Sequence, residues 1–415
     1  MEKRRILLLS HNFSPEPVGI GKYNGEMIDW FAKKGHNCTV VTTFPYYPFW
    51  KVQAPYNNHW YKKEIVNYPG SGASVKIYRC PSYIPANPSG LKRSMQDLSF
   101  IVTKFWMILK LILLREKFDL IIAVAPPFHL AYLGLMLRNR SGGKLVYHIQ
   151  DMQIEAAQRL NMLPSRRLFK ELFKMEHTIM SGADYISSIS EGMINKIKAK
   201  AKREVLFFPN WVDTASFYPL PLRHLLKEKW GYHRDELIYL YAGAIGEKQG
   251  LESVLDAAEI LQHDKDIRFV ICASGPYKER LVVQATQMGL RNISFVPVQD
   301  KEVFNEFLNM ADLHLVLQKS NADDLVMPSK LATILSVGGA SLVTSSAGTS
   351  LYKLINDFDL GYLVEPGDPK MFAAKINEIK QDTDLEKKRE NARRYATTYL
   401  SLDKVMNDFA GQVLP

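Results

Sequence analysis

Residues 241–250 read YAGAIGEKQG, with Gly243, Gly246 and Gly250 spaced around Glu247 and Lys248. An apolar run, LIYLYA, precedes them and an amphipathic run, LESVLDAAEILQ, follows. That order reads as strand, glycine turn, helix. Glycine lets a backbone approach a ligand closely, and a helix start offers N–H groups without intrahelical partners, so such a turn suits a phosphate. It has neither the Gly-Lys-Ser/Thr of a Walker loop nor the Gly-x-Gly-x-x-Gly of a dinucleotide fingerprint. Taken alone, the turn serves tight packing equally well; Lys248 adds a charge able to neutralise a pyrophosphate. A second candidate is DDLVMPSKLATILSVGG, residues 323–339. Pro328 is suited to open a helix, which places the Ser329 N–H and Lys330 in the first turn, toward an anion. The bland alternative is a capped helix with an exposed lysine. Two such lysines in one half of the chain favour the anion site.

Two further clusters are weaker. SPEPVGIGKYNGEM, residues 14–27, puts Gly19, Gly21 and Lys22 after the first predicted strand, at the end where open sheets bind ligands. YHIQDMQIE bunches His148, Gln150, Asp151 and Glu155 after another buried strand. A lone strand histidine is more often structural, whereas several polar groups at one strand end suggest a pocket. No His/Cys/Asp cluster has metal-ligand spacing, so no metal is expected, and no Gly-x-Ser-x-Gly elbow occurs. The aromatic and basic stretch PYYPFWKVQAPYNNHWYKK has residues able to stack on nucleobases, but without a nucleic-acid fold signature it reads as a loop or acceptor surface.

The elements that must hold these groups alternate. RILLLS, CTVVTT, LIIAVA, KLVYHI, YISSIS and VLFFP are strand candidates in the first half; LIYLYAG, RFVICASG, ISFVPV, LHLVLQ and ASLVTS follow in the second. Many are apolar on both faces, as buried parallel strands are, and helical patterns such as GKYNGEMIDWFAKKG and DKEVFNEFLNM lie between them. The βαβα pattern occurs twice, so the 415 residues, 47% of them hydrophobic, predict two doubly wound α/β domains. The boundary falls in FFPNWVDTASFYPLP near Asn210, giving residues 1–211 and 212–394, with a final helix from about 395 to 415 returning to the first domain. Three cysteines, Cys38, Cys80 and Cys272, fit a reducing compartment, and the N-terminus reads as a strand rather than a signal peptide.

Charge is uneven. Residues 1–211 hold 30 Lys and Arg against 15 Asp and Glu; the remainder holds 23 against 28, within a chain of net charge +10 and pI about 9.2. The first half is therefore suited to an anionic surface or charged lipid. LSFIVTKFWMILKLILLREK, from Leu98, is apolar over three sides of a helix but too short and charged for a confident membrane span. It reads either as a buried helix, the favoured reading, or as one lying in a membrane surface with snorkelling lysines. The basic stretch KIKAKAKR at 196–203 reads as a solvated face.

In order, VGIGKYNGEM, FAKKGHNCTVVTT, ADYISSISEGM, FFPNWVDTASFYP, YAGAIGEKQGLESVLDAA, FVICASGPYKERL, MADLHLVLQ and PSKLATILSVGGASLV resemble a retaining family 4 glycosyltransferase of the two-domain GT-B type, over nearly the whole chain. GIGKYNGEM, FPYYPFW, RCPSYIPANPSGLKR, HIQDM and MPSKLATILSVGG are most similar to the colanic-acid-type enzymes of bacterial exopolysaccharide synthesis. The resemblance implies two Rossmann-like domains facing across a cleft that closes about the hinge near Asn210. It implies a nucleotide-sugar donor, GDP-fucose, a lipid-linked saccharide acceptor, a retaining reaction without metal or cofactor, and a place at the inner face of the cytoplasmic membrane. Lys248, Lys330, Gln150 and Asp151 are the expected catalytic groups. Gly243, Gly246, Glu247, Lys248, Gly275, Asp324, Pro328, Ser329, Lys330 and Thr333 are expected at the donor, and Gly19, Gly21, Lys22 and His148 at the acceptor or cleft loop. The family's two glutamates, eight positions apart, read Leu325 and Thr333 here, and its His-Asp pair reads Gln150-Asp151, so Asp323 or Asp324 is the expected substitute. Four rivals remain: a glycosyltransferase that uses a UDP-sugar; a GT-B sugar-nucleotide epimerase, which leaves the basic half unexplained; an NAD(P)-dependent oxidoreductase, which lacks its fingerprint; and a silent binding protein that kept the fold.

Overall fold

The computed structural model describes residues 2–414 apart from 18, 87–89, 160–165, 247–248, 274–275 and 320–326. The chain divides into two compact units, residues 1–209 with 406–415, and residues 210–405. The segment that rejoins the first unit is thus shorter than 395–415: it starts at Met406, and Phe409 stacks on Phe208 at 3.8 Å between ring centroids.

The first unit is built on an eight-stranded sheet. Its strands are β1 (Arg5–Leu9), β2 (Asn37–Thr43), β3 (Lys62–Tyr68), β4 (Ala73–Cys80), β5 (Leu120–Ala125), β6 (Lys144–Ile149), β7 (Tyr185–Ser188) and β8 (Leu206–Phe207). Their spatial order is β3-β4-β2-β1-β5-β6-β7-β8, parallel except for the β3–β4 hairpin. Leu7 of β1 is in register with Thr39 on one side and Ile121 on the other, and every residue of β5 is buried, as a strand covered by helices on both faces must be. The strand order reverses between β1 and β5.

The second unit holds six parallel strands, β9 (Leu237–Ala242), β10 (Ile267–Cys272), β11 (Ile293–Val296), β12 (Leu313–Val316), β13 (Ser341–Thr344) and β14 (Gly361–Val364). Their order, β11-β10-β9-β12-β13-β14, is that of a Rossmann sheet, with its reversal between β9 and β12. At the start of this unit the Val212 N–H donates to Leu400 O (2.8 Å), and Arg393 donates to the carbonyls of Ser336 (2.7 Å) and Phe217 (2.9 Å), anchoring the chain where it enters.

The helix Gly90–Leu113 corrects the reading of its sequence as buried. Phe100, Met107, Ile108 and Leu111 are buried, while Met95, Leu98, Val102, Phe105, Trp106 and Leu113 are exposed, Leu98 by 65% and Trp106 by 60%. Lys104 does not snorkel: it is fully buried and donates to Ser10 O and to Val41 O (3.1 Å). The basic stretch 196–203 is not simply solvated either. Lys200 pairs with Glu155 and Glu176 (2.5 Å each), and Arg203 donates to Met180 O and Ala183 O (2.7 Å each) at the end of the helix Arg166–Gly182. No helix among the described residues is long and apolar enough to cross a membrane.

Candidate active site

Ligands of doubly wound sheets sit beyond the carboxyl ends of the strands, where the strand order reverses. In the second unit this is the space after β9 and β12. After β9, Gly243 adopts φ +143°, which an L side chain rarely accepts, and its N–H still bonds Cys272 O (3.1 Å). The neighbour of its bare Cα is Lys330: a Cβ there would lie 3.6 Å from both Cε and Nζ. Lys330 begins the helix Lys330–Ser336, and its ammonium lies 3.2 Å from the centroid of the Tyr241 ring, whose hydroxyl is tied to Ala244 O (2.6 Å). The Lys330 Nζ is buried and makes no hydrogen bond among the described residues, and burial holds its pKa well below the ordinary lysine range. An aromatic face partly compensates the charge but takes none of its three N–H donors.

Lys319 is a cation that sequence reasoning missed. It follows β12, and its stem covers Gly250, where a Cβ would meet Lys319 Cγ and Cε at 3.1 Å. The preceding residue is pinned: the Gln318 N–H donates to Thr344 Oγ1 (2.7 Å), and the Thr344 hydroxyl donates back to Gln318 O (2.9 Å). Its place after the strand that borders the reversal was the available signal. Gly246 lies nearby in sequence with Gln249 against it (3.6 Å), Thr333 is half-buried with its carbonyl accepting from Val337 N–H (3.2 Å), and Pro328 O accepts from Leu331 N–H (3.0 Å). Ser329 is exposed immediately before Lys330. Glu247, Lys248, Gly275 and Asp324, with Asp323 and Leu325, lie outside the described residues.

In the first unit, Gly19 opens the helix Gly19–Lys33 at φ +62° beneath the Tyr47 ring, 3.7 Å from where a Cβ would stand. Gly21 answers a packing demand: its Cβ would fall 2.4 Å from Glu16 Oε2. Glu16 is buried and accepts the N–H groups of Tyr46 and Tyr47 (3.0 Å each), so it moulds the loop that follows β2. Lys22 is spent on Glu26 (3.7 Å) and the Tyr23 ring (5.0 Å). His148 lies inside β6, its Nδ1 2.9 Å from Ser187 Oγ and its ring 5.0 Å from Phe208; burial lowers its pKa to about 3, so it is a neutral core group. Gln150 is buried and continues the ladder by donating to Ala125 O (3.0 Å), whereas Asp151 is half-buried and its charge reaches the Tyr47 hydroxyl, which burial already raises. Thus Gly19, Tyr47 and Asp151 gather at one end of the first sheet, and His148 and Lys22 are engaged elsewhere. Among the described residues no group of three or more His, Cys, Asp or Glu side chains is arranged to hold a metal ion.

The chain is similar to known proteins over nearly its whole length. Residues 18–211 match the glycosyl transferase 4-like domain, and residues 223–399 match glycosyl transferases group 1. The chain is 37% identical over 417 aligned residues, 99% of each chain, to the putative colanic acid biosynthesis glycosyl transferase WcaI of Escherichia coli K12. The chain belongs to the family 4-like, group 1 glycosyltransferases. The glycosyltransferase has the GT-B fold: it is similar to sucrose-phosphate synthase of Thermosynechococcus elongatus (TM-score 0.73, 15% identity, 99% and 98% of the two chains covered). HepE of Anabaena, solved with UDP and glucose, gives a TM-score of 0.69 at 14% identity over 99% of both chains. In this glycosyltransferase Lys330 lies against Gly243 and Lys319 against Gly250, in the loops that follow the two strands bordering the reversal of the second sheet.

Proposed function

We propose that this glycosyltransferase moves a sugar from a nucleoside diphosphate sugar, GDP-fucose by resemblance, to a lipid-linked saccharide in bacterial exopolysaccharide synthesis, with retention of configuration. The observation that carries the reading is the buried Lys330 ammonium, without a hydrogen-bond partner among the described residues, set against Gly243 at the strand-order reversal. Its relative WcaI is named for colanic acid biosynthesis, which supports the same product class. In the reaction the bond from the anomeric carbon to the diphosphate breaks, and negative charge grows on the leaving oxygen. Lys330 and Lys248, with backbone N–H groups near Gly246 and Ser329, stabilise that charge; preorganised donors of this kind contribute about 3–4 kcal/mol each to a barrier. Because fixed cations supply the stabilisation, the reading assigns no metal and no cofactor. Gln150 and Asp151 serve the acceptor half.

The lipid-linked acceptor and a peripheral place at the inner face of the cytoplasmic membrane are supported by the helix Gly90–Leu113. Its exposed residues Met95, Leu98, Val102, Phe105, Trp106 and Leu113 recur at helical spacing, and the exposed Lys92, Arg93, Lys110, Arg115 and Lys117 surround them. Basic side chains at an anionic bilayer contribute on the order of 1 kcal/mol each.

The test is thermal stabilisation of the purified protein by GDP, UDP, ADP and NAD. A ligand at about a hundred times its Kd adds about 2.7 kcal/mol. Selective stabilisation by GDP, followed by turnover of GDP-fucose, is the expected result. A selective response to UDP replaces the donor, and a response to NAD alone refutes the transferase reading.

A further inference from the structure

The turn that follows β9 carries a glycine at each end, Gly243 and Gly250, and a lysine stem lies against each. Lys330 faces Gly243 and is committed to the proposed donor chemistry. Lys319 faces Gly250, and that chemistry leaves it unused. Both lysines come from the chain that follows β12, so they bracket a turn belonging to the strand on the other side of the reversal.

Lys319 is held everywhere except at its charge. Gly250 has φ +66°, where an L side chain is strained, and a Cβ there would lie 3.1 Å from both Cγ and Cε of Lys319, so a side chain at 250 would push the stem aside. The root is fixed by Thr344, which takes the Gln318 N–H and donates back to the Gln318 carbonyl. The ammonium has no such tie: Lys319 is exposed and makes no hydrogen bond or ion pair among the described residues. A lysine kept for solubility needs neither a bare glycine under its stem nor a pinned root. Both lower the side-chain freedom lost when the ammonium meets a partner.

The carboxylate that feels this charge is Glu252, in the first turn of the helix Glu252–Ile260. Glu252 is engaged elsewhere, accepting from the Tyr277 hydroxyl. Against the cost of burial, that hydrogen bond and, behind it, the charges of Lys319 and Arg280 hold the Glu252 carboxyl below its ordinary range. Glu252 thus stays ionised and draws the ammonium toward the turn without closing an ion pair on it.

We infer that Lys319 is a further cation on the donor's diphosphate, reaching it past Gly250 as Lys330 does past Gly243. The inference rests on the donor reading of this unit and adds a residue to it. When the bond to the anomeric carbon breaks, both of its electrons stay on the diphosphate oxygen, so the leaving group calls for more positive charge than the intact donor. Lys330, buried, is fixed in place; Lys319, exposed on an anchored stem, can follow the oxygen as its charge grows. An ammonium suits this task because it meets phosphate as a point charge from any side.

The test is calorimetric titration of pyrophosphate, GDP and UDP into the full-length protein. Lys319→Met keeps the stem over Gly250 and removes the charge; it should weaken pyrophosphate and the preferred nucleoside diphosphate about tenfold, the loss of one charge-assisted hydrogen bond. Lys319→Arg, which keeps the charge, should restore most of the affinity. The ionic-strength dependence of binding should flatten in Lys319→Met, a change that a purely structural role would not produce. Thermal unfolding of Lys319→Met without ligand should match the parent's. Equal affinity of Lys319→Met and parent overturns the assignment of Lys319 alone. So does pyrophosphate that depends on Lys319 but is not displaced by the nucleoside diphosphate, which would mark a separate anion site. A parent that binds neither pyrophosphate nor any nucleoside diphosphate refutes the donor reading itself, and the inference falls with it.

Discussion

Lys330→Met separates a residue kept for stability from one kept for a ligand. Methionine preserves length and apolar contact with Tyr241 and removes the charge. In the free protein the Lys330 ammonium is buried without a hydrogen-bond partner among the described residues, at a cost of about 1–3 kcal/mol, and the Tyr241 face returns about 0.5–2 kcal/mol. The net predicts that the variant is more stable by up to about 2 kcal/mol. For a unit the size of residues 210–405, each kcal/mol moves Tm by about 2–4 °C. The pH dependence has a definite sign. Folding depresses the Lys330 pKa, so the unfolded chain binds more protons below the ordinary value of about 10.4. The parent therefore gains stability as pH rises toward that value, and the methionine variant lacks this part of the slope. Function moves the other way. A charge-assisted hydrogen bond to a phosphate is worth about 1.5–3 kcal/mol, so nucleoside diphosphate Kd should rise about ten- to a hundredfold, with turnover falling at least tenfold. Differential scanning calorimetry at pH 7 and 9.5, with and without the nucleotide, reads all three effects. A variant that is less stable yet binds and turns over like the parent would refute the assignment of Lys330 to the diphosphate.

Two other substitutions test parts of the first unit. Gly21→Ala places a methyl 2.4 Å from Glu16 Oε2 and 2.7 Å from Glu16 Cβ; the shift of that buried side chain should cost about 1–3 kcal/mol in denaturant unfolding, and an unchanged midpoint would show that the loop yields freely. Leu98→Glu with Trp106→Glu should leave unfolding unchanged, since both side chains are mostly exposed, but should abolish co-sedimentation with vesicles rich in anionic lipid; vesicle binding equal to the parent's would remove the helix Gly90–Leu113 from the membrane reading.

Much of the fold was legible because buried parallel strands announce themselves as short apolar runs. RILLLS, LIIAVA and LIYLYAG all became central strands at the two reversals. The β3–β4 hairpin was missed because β3, KKEIVNY, lies at the sheet edge with mostly exposed side chains and has no apolar run to show. β14, GYLV, was also missed; its Gly361 fits closely against Ser341 of β13. The glycines of the first loop illustrate a different limit. Gly19 and Gly21 look alike in VGIGKYNGEM, but one has the left-handed backbone and the other makes room for a carboxylate that comes from five residues upstream.

The lysines mark where sequence reasoning ends and geometry begins. Lys104 and Lys330 are both buried ammonium groups with depressed pKa values, each over an aromatic ring, Phe100 at 3.4 Å and Tyr241 at 3.2 Å. In the sequence, Lys104 interrupts an apolar helix and invites a membrane explanation, whereas Lys330 follows a proline and invites a phosphate. Partners decide between them. Lys104 spends its donors on Ser10 O and Val41 O, tying the helix Gly90–Leu113 to the ends of β1 and β2, and nothing more is asked of it. Lys330 has its aromatic support and no acceptor among the described residues. A buried charge held by the chain's own carbonyls explains a fold. One whose hydrogen bonds are incomplete among the described residues, beside a glycine at a strand-order reversal, is placed to receive an anion.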